Sequence, residues 1–252
     1  MRVAFLSASG RIGGAERALL DLLASLRVAE PEWDLHLILA GEGPLGGEAA
    51  ALGVTLHPLP MPARVEALGD AGGSRMALLP RLFAAGPAGA LWLRRLRALL
   101  RSIDPSIVHT NGFKMHVAGA LALPRGCGLV WHVHDYVSAR RVMASAVRRL
   151  AARPAVAIAV SRSVADDVRR VCGAGLRVKV VHNAVDLARF TPDGLRIALH
   201  QLAGMPPEAQ GTVAVGLVAT MGLWKGHDVF LRAISLLPRD LPVRAYVVGG
   251  RI

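Results

Sequence analysis

The chain has 252 residues, 53% hydrophobic and 19% charged, which is ample apolar material for a core and excludes disorder as the default state. Its formal net charge of +12, carried almost wholly by arginine, admits a nucleic acid, an anionic membrane surface or a phosphorylated substrate as partner. Aromatic residues make up only 4% and no recognition module is present, so no nucleic-acid partner is expected.

Short apolar runs alternate with segments of helical period, the pattern of a parallel sheet covered by helices. Val3 to Leu6 predicts a first strand, and Ala15 to Leu26 a helix with Leu19, Leu22, Leu23 and Leu26 on one face. Leu35 to Leu39 predicts a second strand, ended by Gly41-Glu42-Gly43-Pro44, and Gly53 to Leu56 a weaker third. Residues 57–90, rich in Pro, Gly and Ala, read as a loop with one short helix. Leu91 to Ile103 is amphipathic, with Trp92, Leu96, Leu99 and Ile103 on one face and Arg94, Arg97 and Arg101 on another; Asp104-Pro105 stops it.

Ile107 to Asn111 and Leu129 to Asp135 read as strands running into polar tips. Ala155 to Val160 is a buried strand followed by Ser161 as a helix N-cap, and Val178 to Val181 closes this half. The division expected is a first Rossmann-like domain over 1–185, a hinge over 186–210 with one short helical piece, and the opening of a second domain over 211–252. In that opening, Thr212 to Thr220, Asp228 to Leu237 and Val243 to Val248 form a single β-α-β unit. One such unit cannot bury both faces of its sheet, so the second domain is expected to be incomplete.

Cys127 and Cys172 make neither a disulfide framework nor a metal-ligand spacing, which predicts reduced thiols. The apolar opening turns polar at Ser7, too soon for a signal peptide, and no run approaches the roughly 20 residues that span a bilayer. The expected location is the cytoplasm, with peripheral contact at the inner membrane face open to the Arg94-Arg97-Arg101 face; a solvated helix face is the plainer account of those arginines.

Polar residues gather at strand ends: Ser7, His109 to Asn111, and His134-Asp135. In open parallel sheets the ligand crevice lies at the carboxyl ends of strands, and several strands ending alike weighs more than any one. Gly10-Arg11-Ile12-Gly13-Gly14-Ala15-Glu16 joins strand to helix, where glycines permit positive φ and a helix N-terminus offers N–H groups to an anion. A tight turn with Glu16 serving the helix dipole is the plainer alternative. The same turn is similar to that of nicotinamide-dependent short-chain dehydrogenases, which pair it with Tyr-x-x-x-Lys; here Tyr136 is followed by Arg140 and Tyr246 by Gly250.

Two further segments point elsewhere. Ile158-Ala159-Val160-Ser161-Arg162-Ser163 and Val180-Val181-His182-Asn183-Ala184-Val185-Asp186, with Phe190, resemble the family-4 glycosyltransferases of GT-B fold. Trp224-Lys225-Gly226-His227-Asp228 resembles the segment opening that family's second domain, and Gly13-Gly14-Ala15-Glu16, Val108-His109-Thr110 and Val133-His134-Asp135 complete the family's order. The resemblance implies transfer of a sugar from a nucleotide-sugar donor to a glycan, lipid-linked or small-molecule acceptor, with retention, without metal and without a separate cofactor. It implies His134 as the histidine against the donor sugar, and Lys225 with Gly226 on the donor diphosphate. It further implies Gly13 and Gly14 at the loop approaching phosphate and acceptor; Glu16 of the glycine turn and Asn111 and Asp135 of the polar strand ends are expected in the same substrate-binding group. No Asp-x-Asp occurs for a metal-bridged diphosphate.

Thr220 to Leu223 stand where the family commonly has an arginine, Ala184 stands where it has Gly, and its E-x7-E segment would lie beyond Ile252. The chain by itself is therefore expected to be inactive. The other functions weighed are a dinucleotide-dependent oxidoreductase and a non-catalytic binding module.

Overall fold

The computed structural model describes residues 1–66, 75–188, 190–222 and 225–250, with the side chains of 75–85 and of Arg141 outside that description. The chain divides into two compact units, Met1–Val185 and Asp186–Ile252.

The first unit runs β1 (Arg2–Ser7), α1 (Gly14–Ala29), β2 (Asp34–Leu39), α2 (Leu45–Ala51), β3 (Thr55–Pro58), α3 (Ala63–Glu66) and α4 (Arg75–Ile103). It continues β4 (Ile107–Asn111), α5 (Phe113–Ala122), β5 (Gly128–Val133), α6 (Arg141–Leu150), β6 (Val156–Ala159), α7 (Arg162–Cys172) and β7 (Val178–Val180). The strands form one all-parallel sheet in the order β3-β2-β1-β4-β5-β6-β7. Strand side chains alternate between faces, so each strand feeds two cores. Val3 and Phe5 pack with Leu19, Leu20 and Leu23 of α1 and Leu35 and Leu37 of β2. Ala4, Leu6, Val108, Leu129 and Trp131 join Trp92, Leu96, Leu100 and Ile103 of α4 on the opposite face. Each fully buried large apolar side chain contributes about 1.5–3 kcal/mol.

The helices depart most from the sequence expectation. Residues 57–90 read as a loop by composition, yet α4 begins at Arg75 and carries Pro80 and Pro87 within its span. Composition treats these prolines as breakers; in the fold the helix backbone continues through them into the amphipathic stretch from Trp92. Residues 67–74 of that expected loop lie outside the described residues. Helix α5 has no polar face because it is buried on nearly every side, with Phe113, Met115, His116, Ala118 and Ala120 all enclosed. Gly119 lets it lie against the sheet: a Cβ there would stand 2.6 Å from the Thr110 methyl. The stop at Asp104 holds, with this residue in the left-handed region at φ 52° before Pro105. Ser161 is the N-cap of α7, its hydroxyl accepting from the Val164 N–H at 3.2 Å.

Several of the arginines are used structurally. Arg27 donates to the carbonyls of Leu52 (3.1 Å), Gly53 (2.9 Å) and Trp33 (3.1 Å). Arg2 holds the Ile103 carbonyl at 2.6 Å, and Arg153 the Ala120 carbonyl at 2.9 Å. Arg97 donates to the Leu121 carbonyl, so one member of the arginine face on α4 serves the end of α5. These guanidinium groups satisfy carbonyls that helix and strand ends leave without partners.

The second unit contains α8 (Leu199–Leu202), β8 (Val213–Val218), α9 (His227–Ser235) and β9 (Val243–Val248). Strands β8 and β9 pair in parallel, from Val213 opposite Val243 to Val218 opposite Val248. The unit opens on an Asx-turn, in which the Asp186 carboxylate accepts from the Ala188 N–H at 2.9 Å and the Asp186 carbonyl from the Phe190 N–H at 2.9 Å. Tyr246 is buried against the segment after α8, its hydroxyl donating to the Glu208 carboxylate. Gly249 is required by close approach, since a Cβ would fall 1.8 Å from the Ala219 carbonyl oxygen.

Candidate functional site

The strand order reverses between β1 and β4, and their carboxyl ends, with Ser7 opposite Asn111, mark the crevice that a doubly wound sheet offers a ligand. Ser7 and Asn111 are both buried there. The Asn111 amide nitrogen donates to the Ala15 carbonyl in the first turn of α1 at 3.2 Å, and its oxygen lies 2.6 Å from His134 Nε2. Asn111, His134 and the start of α1 therefore form one connected group. Asp135 follows on the surface beyond β5.

The glycine turn works differently from the sequence expectation. Gly13 is extended at φ −107° and no positive φ occurs at Gly13 or Gly14. What the turn uses is space. A methyl group on Gly14 would have nothing within 4 Å, so the start of α1 is open. The Glu16 carboxylate accepts from the Gly13 N–H at 3.1 Å, which makes it a helix cap. The strained positions lie nearby: Gly43 has φ +150°, and a Cβ on Gly10 would stand 2.3 Å from the Glu42 carbonyl carbon. Gly10 and Gly43 let the β1–α1 and β2–α2 loops meet, joined by the Leu45 N–H to the Gly10 carbonyl at 2.9 Å.

Behind His134 stands a row of histidines, of which the sequence marks His109 as part of a polar strand end and gives His132 no role. The ring of His132 lies 4.2 Å from that of His134, and His109 meets His132 edge-on at 5.3 Å. Burial pushes His109 down to about 4 and His132 down to about 2, so both are neutral. Burial also lowers His134, against the opposing pull of Asp135. On the other face, His116 stacks on Trp131 and is pushed down by burial to about 3. The Thr110 hydroxyl donates to the Val130 carbonyl at 3.1 Å and so accepts from His116 Nδ1 at 2.8 Å. Two residues apart in a strand was the only sequence signal for His132 beside His134.

Asp167 was also missed. It is buried within α7, and its carboxylate accepts from the Ser138 N–H at 3.0 Å, holding the loop that leaves His134 and Asp135. The partners are 29 positions apart, so no local motif announces them.

In the second unit, Lys225 is exposed and its N–H donates to the Gly222 carbonyl at 2.9 Å. Gly226 caps α9 in the left-handed region at φ 76°, and among the described residues no side chain caps that helix. The first-turn N–H groups of α9 are thus left for solvent or an anion. Trp224 and Leu223 lie outside the described residues. The dehydrogenase pairing finds no support: Tyr136 sits exposed in the loop after β5, not on a helix, and Tyr246 is committed to Glu208. Among the described residues, no group of three His, Cys, Asp or Glu side chains is arranged for a metal, and no helix is long and apolar enough to cross a membrane.

Comparison with known proteins follows the same lines. The chain aligns with HepE of Anabaena, solved in complex with UDP-glucose, at a TM-score of 0.73 and 21% identity, covering 99% of this chain and 61% of that one. Sucrose-phosphate synthase of Thermosynechococcus elongatus aligns at a TM-score of 0.67 and 14% identity, covering 99% and 62%. These neighbours are GT-B glycosyltransferases, and the fold is theirs. The D-inositol 3-phosphate glycosyltransferase of Mycolicibacterium gilvum is 42% identical over 74 residues, 29% of this chain. The chain spans 15% of that relative and about three fifths of HepE. Residues 12–189, well over half of the sequence, match the profile of Glycosyltransferase Family 4, and the chain belongs to that family.

Proposed function

We propose that this protein transfers a sugar from a nucleotide-sugar to an acceptor hydroxyl, with retention of configuration and without metal or bound cofactor. The observation that supports this most is the group at the β1/β4 switch point: His134 held by Asn111 beside the open glycine start of α1. A neutral imidazole is suited to a sugar hydroxyl, and the space beside Gly14 admits a phosphate or an acceptor oxygen. In the second unit, Lys225 and the uncapped N-terminus of α9 offer a cation and free N–H groups to a leaving diphosphate, where negative charge develops. A glycan, a lipid-linked sugar or a small polar molecule would serve as acceptor. The exposed Arg94 and Arg101 suit peripheral contact with an anionic membrane at the cytoplasmic face.

The test is a panel of nucleotide sugars offered to the native protein in the presence of a chelator, with products read by mass spectrometry. Release of nucleoside diphosphate and a glycosylated product of unchanged anomeric configuration is the expected outcome. Reduction of NAD or NADP with no response to any nucleotide sugar would overturn it in favour of an oxidoreductase. Binding of acceptor without turnover would leave a binding module.

A further inference from the structure

We propose that Asn111 is a positioning residue that fixes His134 in the Nε2–H tautomer and thereby keeps its Nδ1 as a hydrogen-bond acceptor for a hydroxyl of the sugar. The inference rests on the reading of His134 as a sugar-facing group. Its geometry is independent of that reading.

Asn111 lies at the end of β4 and is only 3% exposed, so its amide exchanges little with water. Its Nδ2 donates to the Ala15 carbonyl at 3.2 Å. Turning the amide over would set Oδ1 against that carbonyl oxygen, two acceptors facing one another, so the orientation is settled. Oδ1 then faces His134 Nε2 at 2.6 Å and can only accept. The proton of that bond must sit on Nε2. Burial holds the imidazole neutral, with one N–H in all, which leaves Nδ1 with its lone pair. The ring of His132 against that of His134 adds a second restraint on its tilt.

The contacts of Asn111 also reach the helix start. Ala15 belongs to the first turn of α1, directly after Gly13 and Gly14. The same asparagine therefore ties the tip of β5 to the glycine turn, across 96 residues of sequence on one side and 23 on the other. A displacement of α1 would be felt as a loss of tautomer preference at His134. Asn111 so acts through His134 and the helix start, in place of the direct substrate contact expected from the sequence.

The test reads the tautomer directly. Two-bond proton–nitrogen correlation spectra of imidazole distinguish a protonated ring nitrogen from one with a lone pair. The wild type is expected to show His134 with Nε2 protonated and Nδ1 bare, and Asn111→Ala to show a mixture of the two tautomers. Turnover of UDP-glucose, used as the donor probe, is expected to fall about 10-fold or more in Asn111→Ala, in kcat and not in KM. In a His134→Ala background the same change is expected to add nothing, as for two residues acting through one interaction. Nδ1 protonated in the wild type, or an unchanged tautomer in Asn111→Ala, would overturn the proposal. Asn111→Ala turning over normally while His134→Ala is impaired would overturn it too and leave the sugar-facing reading intact. Normal turnover in His134→Ala would remove that reading, with the spectra still deciding the tautomer lock. Should Asn111→Ala fail to fold, the wild-type spectrum alone decides.

Discussion

In the first unit, strands β1, β4 and β5 are enclosed, with Phe5, Leu6, Val108, Leu129 and Trp131 at most 1% exposed between layers of helix. In the second, Val213, Val218, Val247 and Val248 of the two-stranded sheet are all exposed, and Tyr246 is the buried aromatic that pins β9 to Glu208. Both units nonetheless place a glycine-bearing turn between a strand and a helix. At α1 the turn is extended and its cap N–H is taken by Glu16; at α9 it is left-handed at Gly226 and uncapped by any side chain. Glycine in these two turns thus answers two different demands: open space in the first and backbone conformation in the second. Neither helix start has a side chain accepting from its first-turn N–H groups among the described residues, and the proposal for the diphosphate turns on Lys225 beside the second.

The largest effect expected from this contrast is in hydrogen exchange of the 252-residue chain. Amides of β1, β4 and β5 should exchange at least about 1,000-fold more slowly than those of β8 and β9, because only the former open by global unfolding. Equal protection in both sheets would break the comparison. Next is Lys225→Ala in the native protein, for which turnover of the nucleotide sugar should fall about 100-fold or more, the scale of removing one stabiliser of developing charge. Near-normal rates would return the diphosphate to the α1 turn.

Gly10→Ala should destabilise the first unit by about 1–3 kcal/mol in a urea titration, since its methyl would meet the Glu42 backbone at 2.3 Å. Gly14→Ala should be neutral or stabilising by up to about 1 kcal/mol, with open space around it in a helix. If it lowers turnover without lowering stability, the space at Gly14 belongs to a ligand.

Acid should act on the first unit through its histidines. His109, His116 and His132 have folded-state values of about 4, 3 and 2 against an ordinary value of 6.5. The unfolded chain therefore binds more protons below pH 6.5, and stability present above that pH is lost as it falls towards those values. Each should contribute a slope of roughly 1.4 kcal/mol per pH unit in that window. Replacing His132 by Phe should flatten the profile by about one histidine's share; an unaltered slope would mean that His132 is not held neutral.

The seven-stranded sheet was legible because short apolar runs bounded by polar tips are what a parallel strand buried on both faces requires, and β4 spans the very residues expected for it. Helix α5 was not, since burial on nearly every side erases the polar face that a helical period needs to be seen. Helix α6 was missed although Met143, Val147 and Leu150 carry that period into the core. The polar strand ends that gather at the switch point were legible; their alliances were not. Nothing local in the sequence pairs Asn111 with Ala15, Asp167 with Ser138, or Gly10 with Gly43, because each pairing is made by the fold bringing distant loops together. The arginines show the same limit: composition suggested an anionic partner, while Arg2, Arg27, Arg97 and Arg153 are turned to backbone carbonyls.

The central claim is that the group at the β1/β4 switch point serves sugar transfer, and the direct measurement is the kcat of His134→Ala with UDP-glucose, beside His116→Leu at a buried histidine of α5. A fall of about 100-fold or more for His134→Ala, with His116→Leu losing stability but keeping its rate when folded, is the predicted result. Equal rates for His134→Ala and the wild type would contradict the account, and the crevice at the switch point would have to be assigned another purpose.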